Sequence, residues 1–485
     1  MPKPGRRQPK PSGDISGFTD REDQQLLFRR HLASPLEPPV LVFYGVGGAG
    51  KTWLLKKLWK DVSASIPRAF LDFETRGGGQ RFLADPATGL YEIRQQLAQP
   101  ASRFDIAYAM MHYKRGTAAE PSSRGEGFLG LTMELVAEIA QKATDALPGV
   151  NVVLNRLGRH LRSRLRNSAI ERFLFTAAGS DFVLALRPRT SQEIGNDLLD
   201  YLAEDLRESL TPRLDCAVRA VLFFDTFEAV RLGLQNSEHQ RFREEWIREI
   251  AANFDFALTV IAGQNRLTWE DAEPEWSGFL DQHVIGGLSE MDARFFLGEC
   301  QIEAADLQNA ILATAREADG GHHCFSLGLC ADIVYAERQD GHEPVAETLT
   351  LRPGDWEALS RRFLKSLSSD AERRWVEILA LTPRFDEAAA RCAFSSQHSA
   401  AQDEAWETLP RFSFVERLPS GWFTVRAQMR WALENRPTSG SSVFADHEWW
   451  QLYWQARSTS YVDDEASLAW YHRYSLEPTA ALAGC

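Results

Sequence analysis

Two patterns of apolar residues alternate along this chain. Short, mostly apolar runs occur at Val40–Tyr44, Ala69–Phe73, Val218–Phe224 and Ala257–Ala262, with a weaker one at His283–Leu288. Runs of this length are expected of strands buried on both faces of a parallel sheet. Between them the spacing is helical. Asp14–Ala33 places Leu26, Leu27, Phe28 and Leu32 on one face before Pro35, Pro38 and Pro39 stop it. Lys51–Val62 carries Trp53, Leu54, Leu55, Leu58 and Trp59. Strands alternating with helices predict an α/β fold with a parallel sheet over roughly the first 290 residues.

The alternation is interrupted once and then ends. Residues 76–212 are mostly helical in pattern, with Phe128–Leu147 and Ser191–Leu210 as the clearest helices. Thr190 followed by Glu193 gives the second of these a capping-box start. After Ser289 the pattern is helical only. Between Asp355 and Glu434, short helices lead into Phe412–Arg417, the turn Pro419-Ser420-Gly421 and Trp422–Val425, the element order of a winged helix. The expected division is a basic tail (1–13), a nucleotide-binding-type domain (14–288) with a helical insertion at about 76–212, a helical lid (289–350), a winged helix (351–437) and an aromatic helical segment (438–485).

Composition narrows the class. The 485 residues are 44% hydrophobic and 25% charged, which excludes a mostly disordered chain. The net charge of −13 disfavours nucleic acid as a partner for the whole surface. The first 11 residues are basic and proline-rich, with no apolar segment behind them, so they read as a disordered tail and not a secretory signal. No apolar run reaches membrane-spanning length, so no membrane partner is expected. The six cysteines are scattered, as in a reducing cytoplasm.

The chemistry concentrates between the first strand and its following helix. Gly45-Val46-Gly47-Gly48-Ala49-Gly50-Lys51-Thr52 fits G-x-x-x-x-G-K-[ST] in full. Glycines let several backbone N–H groups converge on one anion, and the helix dipole points at the same place. Lys51 is placed to reach β- and γ-phosphates, and Thr52 to ligate Mg²⁺; Trp53 follows in the same turn. Ala220–Asp225 is an apolar strand ending in an acid, the Walker B form, so Asp225 is the second metal residue. Thr226 stands where many such enzymes place a catalytic carboxylate, leaving Glu228 as the candidate for polarising water. Gln264, Asn265 and Arg266 follow another strand, where a polar residue can sense a γ-phosphate.

In their order, these pieces resemble the STAND class of P-loop signal-transduction ATPases, which includes NB-ARC-type proteins. Phe18-Thr19-Asp20-Arg21-Glu22 looks like that family's F-x-G-R-E segment, which implies that Phe18 and Arg21 embrace the adenine. Gly263-Gln264-Asn265-Arg266 resembles its G-R-x-R strand end, with Gln264 in the sensor position. Leu288–Ala293 looks like its L-S-x-x-D-A helix start, and Gly320-Gly321-His322-His323 resembles G-G-x-P, with His323 in place of the proline that packs on the nucleotide.

The resemblance implies a P-loop fold, ATP/ADP and Mg²⁺ as cofactors, and a switch between a closed ADP form and an open ATP form. Partners are then a nucleotide and either a protein or a second copy of this chain, met through the aromatic tail or the insertion. Nucleic acid, contacted by the winged helix, is the less favoured partner. The rival readings are a winged-helix transcription regulator with ATP as ligand, an ADP-bound scaffold that does not hydrolyse, and a ring-forming motor.

Two further clusters read as structural. Arg156, Arg159, Arg162 and Arg166 recur at helical spacing; such a row can dock a phosphate backbone or an acidic partner, but a solvated face paired with the acidic helix Asp197–Glu208 is the favoured expectation. His322, His323, Cys324 and Cys330 fit no zinc spacing and read as packing residues. Trp449, Trp450, Tyr453 and Trp454 need a partner surface, supplied by the core, by another subunit or by further chain.

Overall fold

The computed structural model describes residues 21–34, 39–74, 82–83, 85–115, 173, 176–210, 218–231, 237–367, 370–393, 406, 409–418, 422–434, 440–457, 468–469 and 472. The basic tail, Phe18, the helix expected at Phe128–Leu147 and the arginine row at 156–166 lie outside them.

Five parallel strands form one sheet: β1 (Val40–Tyr44), β2 (Arg68–Asp72), β3 (Ala220–Asp225), β4 (Ala257–Gly263) and β5 (Leu280–Val284). Their spatial order is β2-β3-β4-β1-β5, so β4 separates the strand leading into the glycine loop from the strand ending in Asp225. This is a P-loop NTPase sheet. The apolar runs are accounted for by burial, since every residue of β3 and β4 is buried. The fifth strand lies a few residues earlier than the sequence indicates. β5 is an edge strand whose residues are all half-buried or exposed, so its apolar signal is faint.

Alternation along the strands divides the core in two. Val42, Leu71, Leu222, Phe224 and Ile261 face the helical layer that follows β2. That layer includes helices Pro86–Leu97, Ser102–Arg115 and Leu198–Leu210. Leu41, Phe43, Val221, Phe223 and Val260 face the opposite side, against Phe28 of helix Glu22–Ala33 and Leu54, Leu55 and Leu58 of helix Lys51–Asp61.

The helical insertion is therefore one wall of the sheet's core. Its helices are cross-linked by ions. Arg94 makes a bidentate contact with buried Asp105, and Arg103 bonds Asp205 and Glu208. The acidic helix pairs with Arg103 across more than a hundred positions, a partner the local charge pattern does not reveal. The capping box at Thr190 and Glu193 forms as expected, but it opens a six-residue helix, Ser191–Asn196. A second helix, Leu198–Leu210, begins after the break at Asp197.

The remaining elements share one core. Helices Glu290–Glu299, Ala305–Ala315 and Cys324–Gln339 are followed by Trp356–Ser366, Asp370–Leu381 and Glu387–Ala393. An antiparallel hairpin of β6 (Val415–Arg417) and β7 (Phe423–Val425) then leads into helix Ala427–Glu434, completing a winged helix. Phe325, Phe363, Phe414 and Trp450 belong to a single apolar cluster spanning the lid, the winged helix and the tail. Of the three surfaces open to the aromatic tail, helix Gly440–Arg457 uses this core. Trp450 and Trp454 are fully buried, and Trp450 donates its indole N–H to the Ile378 carbonyl at 2.9 Å.

Among the described residues, no helix is long and apolar enough to cross a membrane.

Candidate functional site

The glycine loop joins β1 to helix Lys51–Asp61 at the carboxyl edge of the sheet, where open α/β sheets bind ligands. Gly50 caps that helix with φ +92°, a conformation costly for any residue with a Cβ. The helix has no acid in its first turn, so its positive end is left for an anion. Lys51 is buried, and its ammonium donates to the Gly45 and Val46 carbonyls at 2.8 Å each. Burial lowers its pKa, opposed by the charges of Glu228 and Asp225.

Asp225 ends β3 beneath this loop and is 2% exposed. Burial raises its pKa and the nearby Thr52 hydroxyl opposes that rise, while its Oδ1 accepts from the Thr226 N–H at 2.9 Å. Its Oδ2 is buried without a hydrogen-bond partner among the described residues. A buried, unsatisfied carboxylate oxygen beside a threonine hydroxyl is a donor set suited to Mg²⁺, which takes one or two protein oxygens alongside phosphate and water.

Asp72, paired in register with Asp225 on the neighbouring strand, accepts from the Thr226 hydroxyl at 2.7 Å. Burial pushes the pKa of both aspartates upward; the charge of Asp72 adds to the rise at Asp225, whereas at Asp72 the Thr226 hydroxyl opposes it and Glu416 adds to it.

The other expected residues divide between the site and the surface. Glu228 Oε2 accepts from the backbone N–H of Gln264 at 3.0 Å, which joins the end of β3 to the end of β4. Arg21 is buried, and its guanidinium donates to the Ala49 carbonyl at 3.2 Å and the Gly286 carbonyl at 2.5 Å. His323 Nε2 bonds the Gly47 carbonyl at 2.8 Å, while its ring stacks on Trp356 at 5.2 Å. The backbone positions Val46, Gly48 and Ala49 lie within the loop, and a Cβ on Gly48 would come within 2.7 Å of the His323 ring. Arg266 departs from expectation. Its side chain is 59% exposed and ion-paired with Glu270 four residues on, away from the contacts that join the other strand-end residues. Among the described residues, no group of three or more His, Cys, Asp or Glu side chains is placed to hold a metal. His322, His323 and Cys330 are buried and Cys324 is half-buried.

The winged helix docks on the same edge, a contact the sequence does not disclose. The Arg426 guanidinium lies 5.5 Å over the Trp53 ring, and Lys56 of the P-loop helix pairs with Glu416 on β6. Arg430, 2% exposed, pairs with Glu74 just beyond β2 and also bonds the Thr424 hydroxyl at 3.0 Å. Gln428 approaches Gly47 closely enough that a Cβ there would lie 3.1 Å from its amide nitrogen. Only the acid ending β2 left a trace in the sequence: Leu71-Asp72 has the same apolar-then-acid form as Phe224-Asp225.

Neither a protein-family model nor a curated protein matches the chain. Among solved structures, it is similar to a Walker-type ATPase of Pyrococcus abyssi, at 13% identity and TM-score 0.33, with 88% of this chain and 98% of that one covered. It is similar to Cdc6p from Pyrobaculum aerophilum, at 14% identity and TM-score 0.33, with 87% and 98% covered. It is also similar to the Aeropyrum pernix Orc1 protein in complex with DNA, at 11% identity and TM-score 0.34, with 88% and 96% covered. Scores of this size carry no weight for fold or function, and the P-loop assignment rests on the strand order and the loop itself.

Proposed function

We propose that this chain is a nucleotide-controlled switch of the STAND type, which binds ATP and ADP at Gly45–Thr52 with Mg²⁺ and hydrolyses ATP slowly. Domain boundaries at about residues 288, 350 and 437 go with this reading. One observation carries it: the winged-helix face and the lid histidine converge on the P-loop and its helix through Glu416, Arg426, Gln428 and His323, and on the end of β2 through Arg430. A nucleotide in the loop lies where these parts meet, so its affinity depends on whether they are docked. A ligand shifts such an equilibrium only by its differential affinity for the two arrangements.

The residues divide the work. The loop N–H groups and the helix end hold the phosphates, and Lys51 exchanges its two carbonyl contacts for phosphate oxygens. Thr52 and Asp225 hold Mg²⁺, which supplies charge neutralisation on the phosphates. Glu228 orients an attacking water, and the Gln264 N–H fixes that carboxylate. Arg21 ties the first helix to the loop on the adenine side. With Gln264 in the sensor position and Arg266 engaged by Glu270, slow turnover is expected.

The winged helix supports the switch over a DNA-binding regulator. Arg426 and Arg430, cations that would neutralise a phosphate backbone, are turned onto Trp53 and Glu74. The test is to identify the nucleotide that copurifies and to measure solution mass with ADP and with ATP. Bound ADP and a nucleotide-dependent mass support the switch. An empty protein of constant mass that binds DNA tightly overturns it.

A further inference from the structure

Thr226 has φ +57°, the left-handed region, which is strained for a β-branched residue. Strain of this kind persists only where the surroundings impose it, and several hydrogen bonds do so here. The Thr226 hydroxyl donates to Asp72 Oδ1 at 2.7 Å, its N–H donates to Asp225 Oδ1 at 2.9 Å, and its carbonyl accepts from Ala229 at 2.9 Å. The next residue, Phe227, donates its N–H to the Ala262 carbonyl at 2.9 Å. Asp72 is itself fixed, because the same Oδ1 accepts from the Glu74 N–H at 2.9 Å.

The consequence falls on the Walker B acid. With Thr226 in this conformation, its N–H occupies Asp225 Oδ1, and Asp225 Oδ2 is left buried without a hydrogen-bond partner among the described residues. We propose that Asp72 is a positioning residue for the metal end of β3: through Thr226, it holds Asp225 with one oxygen committed and the other presented to Mg²⁺. This rests on the nucleotide-switch reading and extends it to a residue separated from the P-loop strand by two other strands. Asp72 does not ligate the ion. Its role is to sustain a backbone conformation that threonine would otherwise leave.

This role separates from ligation and from general packing by a rescue. Glycine adopts positive φ freely, so Thr226→Gly removes the need for Asp72. The experiment measures ATP affinity by calorimetry, first in EDTA and then across a Mg²⁺ titration. It compares wild type, Asp72→Ala, Asp72→Asn, Thr226→Ser and the double variant Asp72→Ala/Thr226→Gly.

Partners that orient metal ligands are worth roughly 10–100-fold in metal affinity. Asp72→Ala is therefore expected to raise the Mg²⁺ midpoint by about tenfold or more while leaving affinity in EDTA unchanged. Asp72→Asn keeps an acceptor oxygen, Thr226→Ser keeps the hydroxyl, and the double variant restores the conformation, so all three stay near the wild-type midpoint. An unchanged midpoint in Asp72→Ala overturns the proposal. Equal losses in Asp72→Asn and Asp72→Ala, with no rescue by glycine, also overturn it and make Asp72 a ligand. If wild type binds no nucleotide at all, the P-loop reading has failed as well, and that result is distinct from the others.

Discussion

The His323 Nε2–H donates to the Gly47 carbonyl at 2.8 Å, across 276 positions of sequence. A ring from the lid thus closes on the backbone of the phosphate loop, with Trp356 stacked behind it at 5.2 Å. His323→Ala removes the bond and the stack together. Release of a fluorescent ADP analogue, followed by stopped flow, is expected to accelerate several-fold, about 1 kcal/mol of lost hydrogen bonding. An unchanged release rate would mean that the lid does not retain the nucleotide.

The Glu74–Arg430 pair makes a second prediction. Arg430 is nearly inaccessible, so removing its partner's charge leaves a cation inside the interface. Glu74→Gln keeps the shape of the side chain and is expected to cost about 1–3 kcal/mol of stability. It should also speed protease cleavage between the sheet and the winged helix. Urea unfolding and limited proteolysis measure the two effects.

The lid and the winged helix are joined by another buried carboxylate. Asp332 accepts from the Ser413 N–H at 2.8 Å and hydroxyl at 2.6 Å, and burial pushes its pKa up to about 7. A folded pKa above the unfolded value means that the folded state holds the proton more tightly. Its stabilising contribution is therefore complete below about pH 4 and is lost as pH rises through about 7. Asp332→Asn abolishes this dependence. Relative to wild type, the variant should gain on the order of 1–4 kcal/mol between pH 5 and pH 8, measured by urea unfolding at both. Parallel pH profiles for the two proteins would contradict the assignment.

The aromatic tail is structural on this account. Trp454 is fully buried and stacks on Trp450 at 5.7 Å. Trp454→Ala should cost about 3–5 kcal/mol through the cavity it leaves, seen as a lower melting temperature. A loss under 1 kcal/mol would show that the tail is held elsewhere.

What the sequence made legible was local. The glycine loop between β1 and its helix could be placed because its glycines, lysine and threonine lie within eight residues flanked by an apolar run and a helical pattern. Asp225 was legible because it closes an apolar run. The half-exposed edge strand β5 was misplaced because burial on both faces, which makes a run conspicuous, is missing at an edge. Arg266 fitted a strand-end motif, but no local signal shows that Glu270 takes its charge. The residues that complete the site, among them Asp72, Glu74, Arg426, Gln428 and Arg430, come from distant strands and helices. Their roles depend on tertiary packing, which leaves no periodicity to read.

The central claim is that Gly45–Thr52 binds nucleotide through the buried Lys51 and the metal end of β3. Calorimetric titration of ATP with Mg²⁺ into wild type and Lys51→Ala tests it most directly. Saturable one-to-one binding by wild type and loss of that binding in the variant are expected, with unchanged melting in the nucleotide-free state. Equal affinity in both proteins, or no binding by the wild type, would contradict the account.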